Sequence, residues 1–454
     1  MHYYTERRDI MDIKMPRYVV DVLDVLSKNE YEAYIVGGCV RDSLMNKTPH
    51  DYDVCSNCTP DQMVKVFKNF HTIETGLKHG TLTVMSDHQP VEITTYRSDG
   101  EYTDHRRPDT VKFETDLRED LRRRDFTINA MCYNNSDGII DLFDGQKDLK
   151  MRVIRCVGNA EDRFEEDALR ILRALRFASV LDFEIEEYTA AAMRKKAHLL
   201  SAISAERIFS ELKKLICGKA ARRILMDHSD LISVIIPEIA PCIGCAQNNI
   251  HHCFDVYEHI CHSVENIEPN EDLRLAMLFH DIGKPQKKTN DDNGQDHFKL
   301  HQLASADLAE QILCRLKCSN KTLNTVKALV AEHDNRIPPK RRTVKRFIAK
   351  YDYDFFTDWL KVRRADTLAQ SDYLRAEKLS ELDELAVLGE QIKADMCCLK
   401  VTDLAINGHD VMSLGYKGAE IKAVLSFALD AVIDEIAENE HDALIAHIKE
   451  NYNV

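Results

Sequence analysis

The stretch GGCVRDSLMNKTPHDYD, residues 37–53, decides how the first part of the chain is interpreted. It follows AYIV at residues 33–36, a short apolar segment that predicts a buried strand. Gly37 and Gly38 allow a sharp turn that points backbone N–H groups at an anion. Arg41 adds a rigid fork of donors suited to phosphate oxygens.

Asp51 and Asp53, in the same stretch, predict a metal site. Their spacing places both side chains on one face of an extended segment. Two carboxylates on one face repel each other unless a cation lies between them. Mg²⁺ accepts such oxygen ligands together with substrate phosphates. The stretch therefore predicts a metal–triphosphate site, with a surface turn carrying incidental acids as the alternative.

Glu92 offers a third carboxylate. In VEITTYR, residues 91–97, it faces the side opposite Val91 and Ile93. Alternation alone would make it an ordinary solvent-facing residue. Beside the aspartate pair it can complete a two-metal clamp of the kind that stabilises the attacking and leaving oxygens of phosphoryl transfer.

Length and composition limit the possible classes of protein. The 454 residues predict two to four domains, and 44% hydrophobic with 30% charged residues is an ordinary composition for a folded protein. No apolar run approaches the ~20 residues of a membrane span, so we expect a cytoplasmic protein. The fourteen cysteines lack framework spacing, which predicts reduced thiols.

The net charge of −15 argues against nonspecific coating of nucleic acid. Any polyanion must then be bound by local basic clusters. The sequence contains three, at Arg106 and Arg107, at Arg122–Arg124 and at Lys340–Arg346. For the third cluster a solvated helix face is an equal alternative.

The chain changes character along its length. The first ~150 residues alternate helical and strand patterns, with strands predicted at residues 33–36, 81–85 and 91–97. From about Asp162 onward apolar residues recur at three- and four-residue spacing, which predicts helices alone. The predicted fold class is α+β, with a small mixed sheet followed by all-helical domains.

Several motifs in order give the sequence a family resemblance. They are GGCVRD with DYD, GLKHGTLTV, RSDGEYTDHRRPDTVKF, DLRRRDFTINAM, DLFDGQKDL, RFEEDALRILRALRFA and AERIFSELKKL. Together, over residues 30–215, they resemble class II tRNA nucleotidyltransferases, the CCA-adding enzymes of the polymerase-beta-like superfamily. The resemblance implies addition of C, C and A to tRNA from CTP and ATP, with tRNA rather than DNA as partner and with Mg²⁺ on Asp51 and Asp53 beside Glu92.

The resemblance also implies a set of nucleotide-binding residues. Asp167 and Arg170 would pair with the Watson–Crick edge of the incoming base, because an aspartate only accepts and an arginine only donates hydrogen bonds. Without the resemblance, the three-residue spacing from Asp167 to Arg176 on a predicted helix would indicate a surface ion-pair ladder. The other implied contacts, to sugar and phosphate, are Gly37, Gly38, Arg41, Arg124, Asp125, Asn129, Arg173 and Arg176.

A second constellation, over residues 250–335, resembles the HD superfamily of metal-dependent phosphohydrolases. It implies a second metal site and a second, hydrolytic activity. Imidazoles with carboxylates suit a transition metal better than Mg²⁺, so Ni²⁺ or Mn²⁺ is expected. The implied ligands are His259, His280, Asp281, His301, His333 and Asp334.

The remaining segments complete the predicted organisation. Leu360–Ser371 and Leu404–Leu425 resemble the RNA-contacting end of the nucleotidyltransferase family, although Ala419 and Lys422 stand where proline and glycine are commoner. The predicted domains are a head (palm) at 1–157, a helical neck that recognises the base at 158–235, an HD domain at 236–340 and a tRNA-binding body and tail at 341–454.

Three other functions stay open on the sequence. A specialised CC-adding or A-adding enzyme would differ in a loop around Ser98–Asp109 and in the neck. A poly(A) polymerase shares the head but usually has a basic tail and no His-Asp module. A hydrolase whose head only tethers RNA is disfavoured by the intact aspartate pair.

Overall fold

The computed structural model describes residues 13–99 and 111–452. The chain divides into two compact units, Met1–Pro237 and Glu238–Val454. The basic pair Arg106 and Arg107, and most of the loop around Ser98–Asp109, lie outside the described residues.

The first unit is built on a seven-stranded mixed sheet in the order β3-β4-β5-β2-β1-β8-β9. All neighbouring strands are antiparallel except β2 and β5, which are parallel. The strands are β1 Ala33–Val36, β2 Asp53–Ser56, β3 His71–Ile73, β4 Thr81–Ser86, β5 Gln89–Thr95, β8 Met131–Asn134 and β9 Gly138–Asp141; the separate pair β6 Arg97–Asp99 and β7 Val111–Phe113 is antiparallel.

Both faces of strand β1 are covered, because all four of its residues are apolar and buried. In β1, Ile35 packs into a large cluster with α1 residues such as Val22 and Leu26, whereas Tyr34 packs into a second cluster. The helices of this region are α1 Arg17–Lys28, α2 Gly38–Leu44, α3 Pro60–Val66, α4 Leu117–Arg122 and α5 Gly145–Met151.

The rest of the first unit is helical except for one short parallel strand pair, β10 Val153–Ile154 with β11 Glu184–Ile185. Its helices are α6 Ala160–Glu166, α7 Leu169–Leu181, α8 Glu187–Lys196, α9 Ala205–Ile216, α10 Ala221–Asp227 and α11 Ser229–Ile235. Helix α7 is buried on most of its surface, with Ile171, Leu175 and Ala178 fully buried.

The second unit is almost entirely helical. Its only strands among the described residues form the hairpin β12 Thr289–Asn290 and β13 Asp296–His297. The helices are α12 Val256–Glu265, α13 Glu271–Phe279, α14 Lys284–Lys287, α15 His301–Arg315, α16 Asn320–Glu332, α17 Arg341–Lys350, α18 Tyr353–Leu368, α19 Arg375–Ala394, α20 Gly408–Ser413, α21 Ala419–Ile433 and α22 His441–Asn451.

The predicted fold class, a mixed-sheet head followed by helical domains, is confirmed. Two details differ: the strand predicted at 91–97 ends at Thr95, and two short strand pairs interrupt the helical part. All fourteen cysteines are free thiols. None of the helices formed by the described residues is long and apolar enough to cross a bilayer. The boundaries between the four predicted domains stay predictions.

Candidate functional site

Asp51, Asp53 and Glu92 lie near one another at the start of the interior strand β2; we call these residues the carboxylate triad. Asp53 opens β2 and lies opposite Glu92 of the parallel strand β5. Asp51 and Asp53 are exposed and flank the buried Tyr52, as their alternation predicts. Glu92 is likewise exposed between buried Val91 and Ile93.

The triad has the electrostatics of an ion site. Partial desolvation, then repulsion from Asp51 and Glu92, raises the pKa of Asp53 to about 6 against the opposing pull of Arg124. Carboxylates crowded in this way are stabilised by a bound cation. The three residues therefore fit a divalent ion with hard oxygen ligands.

The glycine turn stands next to the triad. Val36, the last residue of β1, pairs with Asp53, and the chain then turns at Gly37, whose φ is +83°. A Cβ at Gly37 would lie 3.2 Å from Nη1 of Arg124 and would be strained at this φ. The turn thus brings backbone, Arg124 and Asp53 into one small region.

Three arginines surround one aromatic ring beside this turn. The guanidinium carbons of Arg41, Arg173 and Arg176 lie 5.2, 5.4 and 4.0 Å from the ring centroid of Phe177. We call these three residues the arginine cluster. Phe177 itself is 8% exposed, and no sequence motif had drawn attention to it.

A hydrogen-bonded chain ties three of the predicted motifs together. Arg41 Nη1 donates to Oδ1 of Asn129 at 2.7 Å, and Nδ2 of Asn129 donates to Asp125 at 3.2 Å. Arg173 donates from Nε and Nη2 to Oδ2 of Asp125 at 2.8 and 2.5 Å. Burial disfavours the charge of Asp125, but Arg173 outweighs that effect and holds the pKa at about 2.

Two further buried acids, Asp120 and Glu211, form ion pairs with arginines of the head. Asp120 is fully buried and ion-paired with Arg123 at 2.8 Å and Arg124 at 3.3 Å. Glu211 of α9 pairs with Arg176, Nε to Oε2, at 2.8 Å. The basic cluster Arg122–Arg124 is therefore largely neutralised within the protein, although Arg124 also acts on Asp53.

The two residues predicted to recognise the base are each engaged by the protein. Asp167 accepts from the backbone N–H of Leu169 at 3.1 Å and from Nη2 of Arg207 at 2.7 Å. Arg170 donates to Oε2 of Glu166 at 2.7 Å and to the carbonyl of Arg123 at 2.9 Å. Asp167 lies between α6 and α7 in extended conformation, not on the helix as predicted, because it serves as a side-chain acceptor for the first turn of α7.

In the second unit, five of the six predicted ligands converge in a buried group. Asp281 joins two sets: Oδ2 lies 3.2 and 3.3 Å from Nε2 of His259 and His280, and Oδ1 lies 3.1 and 3.5 Å from Nε2 of His301 and His333. Asp366 adds Oδ1 at 3.0 Å from Nε2 of His259. The histidine cluster consists of His259, His280, Asp281, His301, His333 and Asp366.

The imidazoles of the histidine cluster are oriented for ligation. Each Nδ1 donates to a backbone carbonyl oxygen. His259 donates to Ala369 at 3.2 Å and His280 to Met277 at 2.7 Å. His301 donates to Phe298 at 2.8 Å and His333 to Val330 at 2.7 Å. Each Nε2 lone pair consequently points into the cluster, the arrangement typical of metal-bound histidine. Nε2 of His259 lies 3.1 Å from Nε2 of His280, and Nε2 of His301 lies 3.2 Å from Nε2 of His333, so a proton or a metal ion can be shared within each pair.

A proton competes for the same position. Burial disfavours the charged form of His259, but Asp281 and Asp366 outweigh it and raise the pKa of His259 to about 9. Lys284 is also buried, with Nζ 2.6 Å from Oδ2 of Asp281. Nitrogen and oxygen donors in these two sets fit one or two transition-metal ions.

One predicted ligand lies outside the cluster, and the cluster contains one residue that was not predicted. Asp334 is exposed and lies outside the cluster, because the α16 terminus turns His333 inward and the next residue outward. Asp366 takes its place from α18, within LKVRRADTLAQS, which had been interpreted only as an RNA contact. Because Asp366 lies beyond residue 340, the predicted end of the HD domain, the sequence did not indicate it as a ligand.

The basic cluster Lys340–Arg346 is paired within the second unit. Arg342 and Arg346 both bind Asp434, and Lys345 binds Glu435 at 2.7 Å. Arg341 binds Asp395 at 2.6 Å. Because these cations are paired within the protein, a structural role of the cluster is favoured over binding of a polyanion.

Comparison with known proteins identifies three domain families along the chain. Residues 33–155 match the poly(A) polymerase head domain, residues 182–243 the probable RNA and SrmB binding site of polymerase A, and residues 249–387 the HD domain. The HD match includes Asp366. Domains of the head and HD types imply dependence on a divalent metal.

The chain is also similar to CCA-adding enzymes. It is 51% identical over 215 residues to the enzyme of Lactococcus lactis subsp. cremoris, covering 46% of this chain and 53% of that protein. It is 50% identical over 210 residues to the enzyme of Oceanobacillus iheyensis, covering 46% and 52%. The chain thus spans about half the length of these curated relatives.

Solved structures extend the similarity over most of the chain. The Bacillus stearothermophilus CCA-adding enzyme in complex with CTP matches 96% of this chain and 98% of that one, with a TM-score of 0.67 and 26% identity. The Thermotoga maritima CCA-adding enzyme complexed with tRNA shares the fold, with a TM-score of 0.59, 19% identity and coverage of 98% and 99%.

Proposed function

We propose that this chain, which carries a poly(A) polymerase head domain, an RNA-binding region of the polymerase A type and an HD domain, adds C, C and A to the 3′ ends of tRNA from CTP and ATP. One observation carries the proposal. The carboxylate triad, the Gly37 turn and Arg124 lie close together beside the arginine cluster, which supports one site in which metal and phosphate would be bound together.

Asp51 and Asp53, with Glu92 beside them, would hold Mg²⁺. When bound, this ion supplies charge stabilisation for phosphoryl transfer and lowers the pKa of a coordinated hydroxyl. The oxygen-only donor set supports Mg²⁺ over a softer metal.

The protein itself binds and orients the reactants. The N–H of Gly38 and the guanidinium of Arg124 would bind the triphosphate, whereas the N–H of Gly37 already donates to the carbonyl of Met131 at 3.1 Å. Arg41, Asn129 and Asp125 connect this phosphate site to α7, so that sugar and phosphate contacts form one rigid unit. In the reaction the tRNA 3′-hydroxyl oxygen bonds to the α-phosphorus, the bond to pyrophosphate breaks, and the hydroxyl proton leaves to solvent.

Asp167 and Arg170 would select the base. Their acceptor and donor groups match the mixed edges of cytosine and adenine. Arg207 holds the Asp167 carboxylate, and Glu166 holds Arg170, so both side chains are positioned before a nucleotide binds. The protein would then act as its own template, with Arg173 and Arg176 on the phosphate side.

Replacement of Asp53 by Ala tests the proposal. The change removes one of two mutually repelling carboxylates, so the fold should persist while nucleotide addition falls by at least a thousandfold. Incorporation of labelled CTP into tRNA measures the effect, and an unchanged melting temperature shows that the fold is intact. Activity within tenfold of the unaltered protein would contradict the assignment.

A second function is supported by the histidine cluster. Six buried or nearly buried ligand groups, with their Nε2 lone pairs directed inward, favour a Ni²⁺- or Mn²⁺-dependent phosphoester hydrolase acting on small nucleotides or 2′,3′-cyclic phosphates. Hydrolysis adds water across the ester: a P–O bond to water oxygen forms, the P–O bond to the sugar breaks, and a proton passes to the sugar oxygen. His259 is held by the carbonyl of Ala369 and would keep its Nε2 free for the metal.

A further inference from the structure

Two members of the histidine cluster are partly exposed. The side chains of His259, His280, Asp281 and His333 are at most 3% exposed, whereas Asp366 is 13% and His301 11% exposed. A ligand must therefore approach past Asp366 or His301. What surrounds Asp366 consequently decides which ligands the cluster can accept.

Positively charged groups surround Asp366. Gln370 Nε2 donates to Oδ2 of Asp366 at 2.9 Å, and Lys378 Nζ donates to Oε1 of the same glutamine at 2.7 Å. Arg363, one helical turn before Asp366, donates from Nη1 to the carbonyls of His333 and Asn335 at 3.2 and 3.1 Å. Arg336 is the next residue along the chain and is exposed. We call Arg336, Arg363 and Lys378 the cationic rim.

The charges of the rim are not neutralised by neighbouring carboxylates. Within the described ranges, none of the three rim residues forms an ion pair within 4.0 Å, in contrast to Arg341, Arg342 and Arg346 of the same unit. Asp334, Glu381 and Asp366 act on Arg363 at longer range. The pKa of Lys378 is lowered by burial and then by the charge of Arg336. The pKa of His251 is lowered by burial and then by the charges of Lys378 and Arg336.

Buried polar atoms at the rim also lack partners. Nε of Arg363, Nε of Arg375 and Nδ1 of His251 are buried without a hydrogen-bond partner among the described residues. Arg375 lies next to Lys378, because Arg375 donates to the backbone carbonyl of Gln370 and Lys378 donates to the side chain of the same residue. Buried polar groups are nearly always satisfied, so the two arginine Nε donors and the ring nitrogen of His251 leave hydrogen bonds for a bound group to complete.

We propose that the histidine cluster takes a phosphoester carrying a second anionic group, and that the cationic rim binds this second group. The inference rests on the proposed hydrolysis and specifies its substrate class: nucleotides with two separate phosphates are preferred over those with one. The reacting phosphate lies at the histidine cluster, and the second phosphate lies against Arg336, Arg363 and Lys378. A phosphate suits the rim because it offers several acceptor oxygens to closely spaced cations.

Two substrates that differ by one phosphate test the inference. Adenosine 3′,5′-bisphosphate and adenosine 3′-monophosphate are incubated with the full chain and Mn²⁺, and release of the 3′-phosphate is measured. All proteins carry Asp51→Ala and Asp53→Ala, which remove the metal carboxylates of the head. The variants are Arg336→Gln and Lys378→Gln, and Lys321→Gln, an exposed lysine of α16 in the same unit, is the charge-matched control.

The bisphosphate is expected to have a KM at least tenfold below that of the monophosphate. Arg336→Gln and Lys378→Gln should each raise KM for the bisphosphate about tenfold, which corresponds to loss of one charge-assisted contact. Arg336→Gln should leave kcat, and KM for the monophosphate, within about twofold, and Lys321→Gln should change the kinetics of neither substrate. Lys378→Gln also removes the hydrogen bond to Gln370, so for this variant the ratio of the two KM values is compared. Equal effects on both substrates, or no preference for the bisphosphate, would overturn the inference.

Calorimetric titration of the same two ligands separates this inference from the proposed hydrolysis. If neither ligand is hydrolysed but the bisphosphate binds at least tenfold tighter, and that preference disappears in Arg336→Gln and Lys378→Gln, then hydrolysis is wrong and the second-phosphate site stands. If both ligands bind equally, the second-phosphate site is wrong even if both are hydrolysed.

Discussion

At the residue scale, Phe177 organises the head site although it carries no charge. Its ring lies within 5.4 Å of the guanidinium carbons of Arg41, Arg173 and Arg176, so it lets three like charges share a small volume. Each guanidinium is attracted to the negative face of the ring. Asp42, Asp125 and Glu211 compensate the charges of Arg41, Arg173 and Arg176 through ion pairs. The ring therefore fixes the spacing of the cations that face the triphosphate in our proposal.

Replacement of Phe177 by Leu should raise the KM for CTP about tenfold, because the cluster loses attractions of about 0.5–1 kcal/mol each and its arginines spread apart. We expect kcat to fall by a smaller factor than the factor by which KM rises. Phe177→Tyr keeps the ring and is the matched control, with KM within about threefold. Steady-state kinetics with CTP checks both, and an unchanged KM in Phe177→Leu would show that the ring does not position the arginines.

Asp167 is the residue on which base selection depends in our proposal. Asp167→Ala should relax the discrimination between CTP or ATP and the triphosphates UTP and GTP at least tenfold, since a base-edge pair contributes about 1–3 kcal/mol. Arg207→Lys, which keeps a cation beside Asp167, should change discrimination much less. Ratios of kcat/KM for the four triphosphates measure this. If Asp167→Ala still rejects UTP and GTP as strongly, selection lies elsewhere.

At the element scale, helix α17 illustrates how a basic segment can serve the fold. Arg342 and Arg346, one turn apart, bind the same carboxylate of Asp434, which follows α21. The side chain of Asp434 is only 7% exposed, whereas the arginines are 58% and 49% exposed. Hydrogen bonds from Arg346, followed by those from Arg342, lower the pKa of Asp434 from 3.8 to about 2.

Asp434→Asn should lower the free energy of unfolding by about 1–2 kcal/mol, because the paired arginines lose a charged acceptor. Since the pKa of Asp434 is depressed, its contribution is present above about pH 4 and is lost as the pH falls towards 2. Urea unfolding at pH 7 and at pH 3 measures the difference. Glu450→Gln, an exposed acid on α22, is the control. A loss at pH 3 as large as at pH 7 would contradict the pairing.

The elements also show what the sequence predicts and what it does not. The turn at Gly37 and the alternation around Asp51, Asp53 and Glu92 follow from local pattern, and the structure places them as expected. The parallel pairing of β2 with β5 is non-local, so the register that sets Asp53 opposite Glu92 had no local signal.

Asp366 shows the same limit in the second unit. It joins the histidine cluster through packing of α18 against helices far from it in the sequence. A lone aspartate on a helix has no spacing relation to His259 or His280 that would reveal this. Phe177 was missed for a similar reason: an apolar residue on a buried helix usually indicates only core packing, and its arginine neighbours include Arg41 from another element.

At the scale of the whole molecule, each compact unit contains one candidate metal site with its own ligand chemistry. The first unit, Met1–Pro237, offers three carboxylates, and the second, Glu238–Val454, offers four imidazoles with two carboxylates. Oxygen-only and mixed nitrogen–oxygen donor sets prefer different ions. We therefore propose that the two activities have separable metals and separable residues.

The double change His280→Ala with Asp281→Ala should leave CCA addition within a few-fold and abolish Ni²⁺- or Mn²⁺-stimulated phosphoester hydrolysis. The altered residues belong to the second unit, whereas the proposed triphosphate ligands belong to the first. Asp366→Asn, which keeps the volume of the side chain, is the milder second variant. Both assays are run on the same preparations at matched melting temperature. Joint loss of both activities in Asp366→Asn would show that the division into two sites is wrong.

The central claim is that the head adds C, C and A to tRNA, and the lengths of the reaction products test it most directly. Transfer RNAs that end at the discriminator base, at C or at CC are each offered with single triphosphates and with CTP and ATP together, and the products are sized. With both triphosphates, every substrate should end at CCA and stop there. The tRNA ending at CC should accept ATP alone, and the tRNA ending at the discriminator base should accept CTP alone. Products that stop at CC, products extended only from CC, or long runs of A would contradict the account.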